Sequence, residues 1–279
     1  PLLMLLEVVM DLMQPRLVER IIDEGIAQLD LAMVTRTGLL MVGLAAIGAL
    51  GGMSNGILAT RVGQGFGADL REALFRKVQS LSFGNLDELE TGQLVTRLTN
   101  DVTHLQEAVM MLLRMLIRAP LQLVGSLVMV IVTIPQLAFI PLALIPFLLI
   151  VIVWVVKKAT PMFGMVQGKL DALNEVLQEN LAGVRVVKAF VRADYEIERF
   201  GATNESLMNQ FISVARITTV MMPAMMIMVN LGVAGAMWFG GVNVTKGSMQ
   251  VGQVVAFINY LLITLFSLMM VSMMIMGVA

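Results

Sequence analysis

The chain has 279 residues, 58% of them hydrophobic and only 14% charged, with a formal net charge of −1 and a mean hydropathy of +0.85. Water-soluble domains carry about 25% charged residues, so an apolar excess of this size needs lipid to cover part of the surface. The near-neutral balance excludes the basic footprint of a nucleic-acid binder. The absence of cysteine excludes disulfides, thiolate metal sites and cysteine nucleophiles.

In chain order, the first candidate span is 2–22, an apolar stretch interrupted by Glu7, Asp11 and Pro15. Those charges and the proline argue against a cleavable signal peptide, and an opening Pro1 in place of Met reads as a trimmed fragment. The second span is 37–60, uncharged throughout and long enough for the roughly 20 residues a crossing needs. The uncharged run Ala119–Val156 is too long for one crossing and holds Pro135 near its middle. It divides into spans 112–134 and 137–157 about a tight turn at Ile134, Pro135 and Gln136. The last two spans are 217–241 and 250–273, separated by a short connection around Gly247. The fold expected is all-α, with six transmembrane helices.

Between spans two and three, and again between four and five, lie two polar segments, 61–111 and 158–216. Their composition is helical. Leu170, Leu173, Val176, Leu177 and Leu181 recur at three-to-four spacing, as do Leu105, Val109 and Leu112. Helices running on about 20 residues beyond the bilayer reach about 30 Å into water, so each segment reads as a hairpin stalk. The first breaks at Ser82, Phe83, Gly84 and Asn85. The second breaks at Gly183, before 184–192, and restarts at Ala193 with Asp194 as N-cap. Arg97 and Asp101, four apart on one face, form an expected ion pair. Gly63, Gly65 and Gly67 with Ala68 satisfy a G-x-G-x-x-A pattern, but it follows a membrane helix, whereas a dinucleotide site must follow a strand. His104 is the lone histidine and reads as structural.

The segment 61–118 holds seven Lys or Arg and 157–216 holds eight, whereas the remaining connections hold only Arg36 and Lys246. The excess of basic residues marks the cytoplasmic side, which puts both stalks and both termini inside.

At this point the residues resemble a family. The runs 70–78 through Phe83 and 92–102 look like the first cytoplasmic stalk of ATP-binding-cassette (ABC) exporters, and 179–190 with Glu198, Arg199 and Phe200 like the second. The run 251–257 is similar to the start of their last helix, and 21–25 to the outer end of their first. The likeness covers nearly the whole chain in order, and is nearest to subunits of bacterial multidrug-type exporters, many of them heterodimers. It implies that 83–89 and 186–192 are coupling helices docking on nucleotide-binding domains. Phe83, Val187 and Phe190 would then be apolar anchors, with Asp87, Glu88 and Lys188 as polar contacts around them.

No P-loop of the form G-x-x-x-x-G-K-[ST] occurs: the single Gly-Lys pair, Gly168-Lys169, is followed by Leu170. No catalytic residue, metal site or cofactor is therefore expected on this chain, and the resemblance places ATP and Mg in nucleotide-binding domains outside it. Glu7 and Asp11, one turn apart inside a span, are expected either to line a cavity that draws cationic amphiphiles or to pair with Arg114 or Arg118. Methionine is abundant, 25 in all. Met222, Met226, Met270 and Met274 are cavity candidates, because flexible thioethers suit surfaces that accept many shapes. Gly48, Gly52 and Gly56, and likewise Gly232, Ala236 and Gly240, read as close-packing stripes.

The function expected is the membrane half of an ATP-driven exporter of hydrophobic small molecules. It would work by alternating access in the plasma membrane of a bacterium, partnered by nucleotide-binding domains, a second transmembrane half and the bilayer. Two alternatives stay open: export of a lipid or lipopeptide, and a helical membrane scaffold with no transport role.

Overall fold

The computed structural model describes residues 2–81 and 91–278. Helix α1 spans Leu2–Arg20 and runs into a π-helical turn at Ile21–Ile26. Helix α2 spans Leu31–Gln79, α3 Thr91–Thr96, and after a π-helical turn at Arg97–Asp101 helix α4 covers Val102–Thr133. Helix α5 spans Phe139–Ala189, α6 Ala193–Thr218, α7 Met221–Thr245 and α8 Val251–Val278. Among the described residues there is no strand.

Among the described residues, five helical stretches are long and apolar enough to cross a membrane: Leu31–Gln79, Leu94–Thr133, Phe139–Ala189, Ala193–Thr245 and Val251–Ser272. Helix α1 has 19 residues, about 28 Å of rise, but Glu7, Asp11, Arg16, Glu19 and Arg20 lower its apolarity. With 49 and 51 residues, α2 and α5 are about 75 Å long. Each exceeds a hydrocarbon core of about 30 Å more than twofold.

Helix ends follow local chemistry. Asp30 caps α2, its carboxylate accepting from Met33 N at 3.0 Å. At the far end of α4, Ile134 leaves the helical region (φ −140°, ψ 63°) and Pro135–Leu137 form a 3-10 turn, because the residue before a proline is pushed out of the α region. Gly247, at φ +72°, ends α7 in a left-handed cap. Between α6 and α7 the chain breaks at Thr219 and Val220, four and three residues before Pro223, which has no N–H to carry the ladder across. The span expected from residue 217 therefore starts inside the last turn of α6.

Three further expectations are corrected. Gly183 breaks nothing: α5 continues to Ala189, since one interior glycine costs only about 1 kcal/mol against alanine, far less than the flanking turns supply. The chain reverses at 190–192 instead, and Arg192, not Asp194, is the N-cap of α6, with Asp194 in the first turn. Arg97 and Asp101 form no ion pair among the described residues. The π-helical turn across them moves the side chains off the i, i+4 alignment that such a pair requires.

The contacts divide the chain into two units, Pro1–Leu142 with Leu231–Val278, and Ala143–Asn230. In the first, α4 packs along α8, and α1 lies against α2, α4 and α8. Its core includes Met4, Leu12, Val130, Phe257, Tyr260, Leu261 and Leu265. Polar contacts give this packing its register. Ser126 Oγ and Thr264 Oγ1 lie 2.7 Å apart, and Tyr260 donates its hydroxyl to the Leu12 carbonyl at 2.8 Å, both buried. The glycines of α2 are spacers: a side chain at Gly63 would strike Met110, and one at Gly67 the amide of Gln106, whereas Gly65 faces open space. The second unit is a helical hairpin of α5 and α6, closed by Val166, Leu207 and Val214 with Met162, Leu170 and Leu173 packed against them.

Candidate functional site

Two places in the first unit concentrate charge. The first lies toward the Leu2 end of α1. Arg118, from α4, places Nη1 3.0 Å from Glu7 Oε1 and Nη2 3.3 Å from Asp11 Oδ2. Gln122, one turn on, donates to the same Asp11 oxygen at 3.3 Å. The spacing of four between Glu7 and Asp11 puts both acids on one face of α1, and the same spacing between Arg118 and Gln122 aims both donors at them. The Glu7 side chain is 13% exposed, Arg118 38% and Asp11 40%, so the cluster is half out of water and its pairing stronger than that of a surface ion pair. Gly52 makes room for it: a Cβ there would stand 2.9 Å from Glu7 Oε1. Beside the cluster is a cavity of about 530 Å³ lined by Glu7, Gly52, Met53, Gly56, Arg114 and Arg118. Arg114 donates to Thr60 Oγ1 at 2.9 Å and reaches the Gly56 carbonyl at 3.4 Å.

The second is at the opposite end of α1. Asp23, 8% exposed, accepts from the backbone N of Gly252 at 2.7 Å, capping the N-terminus of α8 from another helix. Only glycine fits at 252, because a Cβ would lie 2.5 Å from both Asp23 Oδ2 and the Glu19 carbonyl. The two partners are 229 residues apart, so no local spacing marks the contact. The signals in the sequence are the Asp23-Glu24 pair just past the end of α1 and a glycine at the start of the last helix.

In the second unit the functional candidates gather where α5 turns into α6. The turn is a Schellman motif: Arg192 N bonds the Val187 carbonyl at 2.9 Å and Val191 N the Lys188 carbonyl at 3.3 Å. Val191 takes the left-handed residue's place at φ +52°, a conformation that a β-branched side chain adopts only under strain. Phe190 is 74% exposed and Val191 85%; Lys188 is exposed and Val187 half-buried. Behind the turn, a cavity of about 360 Å³ opens between the helices, walled by Val176, Leu177, Val184, Ile197 and Phe200. It is bridged by Asn180 donating to Glu196 at 3.2 Å and by Arg199 donating to Glu179 at 2.6 Å. The Glu179 hydrogen bond, with its charge, pushes the Arg199 guanidinium above its ordinary value. Earlier on α5, the Lys158 ammonium stands 5.3 Å from the Trp154 ring centroid, a cation–π pair of the kind found at membrane surfaces.

Of the cavity candidates, the structure brings together Glu7 and Asp11. Met222 and Met226 are exposed on α7 within the second unit, where Met221, Met225 and Met228 are the buried ones. Met270 is half-buried on α8. Phe83, Asp87, Glu88 and the Met274 side chain lie outside the described residues. On α2, Gly48 and Gly52 face α1, with Gly51 between them contributing, whereas Gly56 meets open space. On α7, Ala236 and Gly240 are buried, the latter against Val254.

Set beside known proteins, the chain is 39% identical over 259 residues to the ABC transporter ATP-binding protein YfiB of Bacillus subtilis, covering 93% of this chain and 45% of YfiB. It is 32% identical to an ABC transporter ATP-binding protein of Mycobacterium tuberculosis, covering 98% of this chain and 47% of that protein. It is 30% identical to an ATP-dependent lipid A-core flippase of Syntrophus aciditrophicus, over 74% of this chain and 34% of the flippase. The chain thus spans less than half the length of the curated relatives it matches. The profile of the ABC transporter transmembrane region matches residues 1–269, and the chain belongs to that family of multi-pass membrane domains.

Proposed function

We propose that this chain is the membrane-spanning part of an ATP-driven exporter of amphiphilic compounds, in the plasma membrane of a bacterium and with both termini cytoplasmic. The observation that carries the reading is the shape of α5. Lys157 and Lys158 follow Phe139 by 18 and 19 residues, about one bilayer thickness of rise, and the helix then continues unbroken for about 45 Å to Ala189. It ends in an exposed Phe190–Val191 knob. A continuous helix of that length, unbroken across Pro161 and carrying an apolar end, serves as a lever, and an apolar knob held clear of lipid is built to enter a groove on another protein. That groove belongs to a nucleotide-binding domain, with Val187 and Lys188 beside Phe190; Phe83, Asp87 and Glu88 serve the same role on the first stalk. ATP and Mg act there, and a second transmembrane half, identical or different, completes the pathway.

The cargo side of the reading rests on the cavity at Glu7 and Arg118, with Asp11 supporting it; Met222, Met226, Met270 and Met274 are kept, apart from that cavity, as adaptable cargo-contacting candidates. Similarity to a lipid A-core flippase favours a lipid as the cargo over a small drug-like cation. The test is Phe190→Ala in the intact protein reconstituted in vesicles. The side chain is mostly exposed, so the unfolding temperature stays as in the parent, while ATP-driven transport of a fluorescent lipid falls at least about tenfold. Undiminished transport in this variant rejects the lever.

A further inference from the structure

From sequence, Glu7 and Asp11 lead either to a cavity that draws cations or to a pairing with Arg114 or Arg118. The geometry gives the pairing, with Arg118, and leaves Arg114 without a carboxylate partner among the described residues. Both carboxylates end on one guanidinium, at 3.0 and 3.3 Å from Arg118, and Gln122 occupies Asp11 further. Arg114, one turn earlier on α4, is exposed and meets only neutral acceptors among the described residues, Thr60 Oγ1 and the Gly56 carbonyl. Arg118 also keeps its Nε–H buried without an acceptor. Two carboxylates thus stand against two guanidinium groups here, and Arg114 is the cation that no carboxylate meets among the described residues.

The cavity is also the right kind of place for a headgroup. Arg114 precedes Thr133 by 19 residues, about 28 Å of helix, which sets it at the edge of a hydrocarbon layer of about 30 Å on the side of the polar stalks. Ala49, Met53 and the two glycines line one wall, with the carboxamide-bearing Asn55 among them, and the space in front of Gly56 is open. We infer that this cavity receives the anionic headgroup of an amphiphile, held by Arg114 with Arg118 behind it, while the apolar tail stays in the bilayer. The inference rests on the exporter reading for its purpose but not for its chemistry: it names an anion, phosphate or carboxylate, carried on a lipid chain.

Native mass spectrometry of the intact protein, without nucleotide, tests it. The probes are dioleoylphosphatidylglycerol, dioleoylphosphatidylcholine, tetraphenylphosphonium and inorganic phosphate. Phosphatidylglycerol should bind at least about tenfold more tightly than phosphatidylcholine. Arg114→Gln should remove that preference. So should Gly56→Leu, whose Cβ meets nothing within 4 Å and whose side chain takes up space in the cavity, while Arg61→Gln, off the cavity, leaves the preference intact. Tetraphenylphosphonium binding as tightly as the anionic lipid, inorganic phosphate binding as tightly as the lipid, or a preference that survives both cavity variants would overturn it. Absence of ATP-driven lipid transport by the parent protein with its lipid preference intact rejects the exporter reading alone; transport by a parent that shows no such preference rejects this site alone.

Discussion

Consider Gly252→Ala, the smallest change that separates α1 from α8. The new Cβ stands 2.5 Å from Asp23 Oδ2 and 2.5 Å from the Glu19 carbonyl oxygen. The carboxylate can swing aside, but the carbonyl belongs to the helix backbone and cannot. Reaching an ordinary contact of about 3.4 Å requires the two helices to part by nearly 1 Å, which breaks the 2.7 Å hydrogen bond from Gly252 N to Asp23. A charge-assisted bond of this kind contributes about 2 kcal/mol and overpacking costs about 1–3 kcal/mol more, so the loss is about 3–5 kcal/mol. Asp23→Ala removes the same bond without the clash and should cost about 2 kcal/mol, and Asp23→Ala on top of Gly252→Ala should add little, since the bond is already gone. Thermal unfolding of the purified protein in detergent, followed by circular dichroism at 222 nm, measures all three. A Gly252→Ala unfolding temperature equal to the parent's, or fully additive effects in the double variant, refutes the account of how these helix ends are joined.

Three other outcomes follow from the same structure. Arg118→Met strands Glu7 and Asp11, and because the cluster is half-exposed the loss should be about 2 kcal/mol, below the 3–5 kcal/mol of a fully buried pair. Adding Glu7→Gln and Asp11→Asn should restore most of it by the same thermal assay. Gly65→Ala should stabilise α2 by about 0.5–1 kcal/mol, while Gly67→Ala, which collides with Gln106, should destabilise by about 1–3 kcal/mol; the order of the two unfolding temperatures decides. Val191→Gly should relieve the left-handed strain by about 1 kcal/mol, read as slower hydrogen exchange at the Arg192 amide, whose bond to Val187 closes the turn.

Much of this protein is determined by terms that act within a few residues. Hydropathy over 20-residue windows marks α2, α4, α5, α7 and α8, and Pro135 places the turn between α4 and α5 because the ring acts on its own neighbours. The apolar tip around Phe190 is visible for the same reason: an exposed aromatic at the end of a polar helix needs no distant partner to be recognised. What tertiary structure decided are the choices that local terms leave nearly even. Gly183 could have broken α5 for about 1 kcal/mol either way, and the chain instead turned at Val191. The three glycines at 63, 65 and 67 look alike in sequence, and only the approach of α4 makes two of them necessary. Glu7 and Asp11 show an unpaired negative face until Arg118, more than a hundred residues away, is brought against them. The sign of that cavity therefore belongs to the packing, since a charge's effect depends on its partner's distance and burial, and neither is written in the residues beside it.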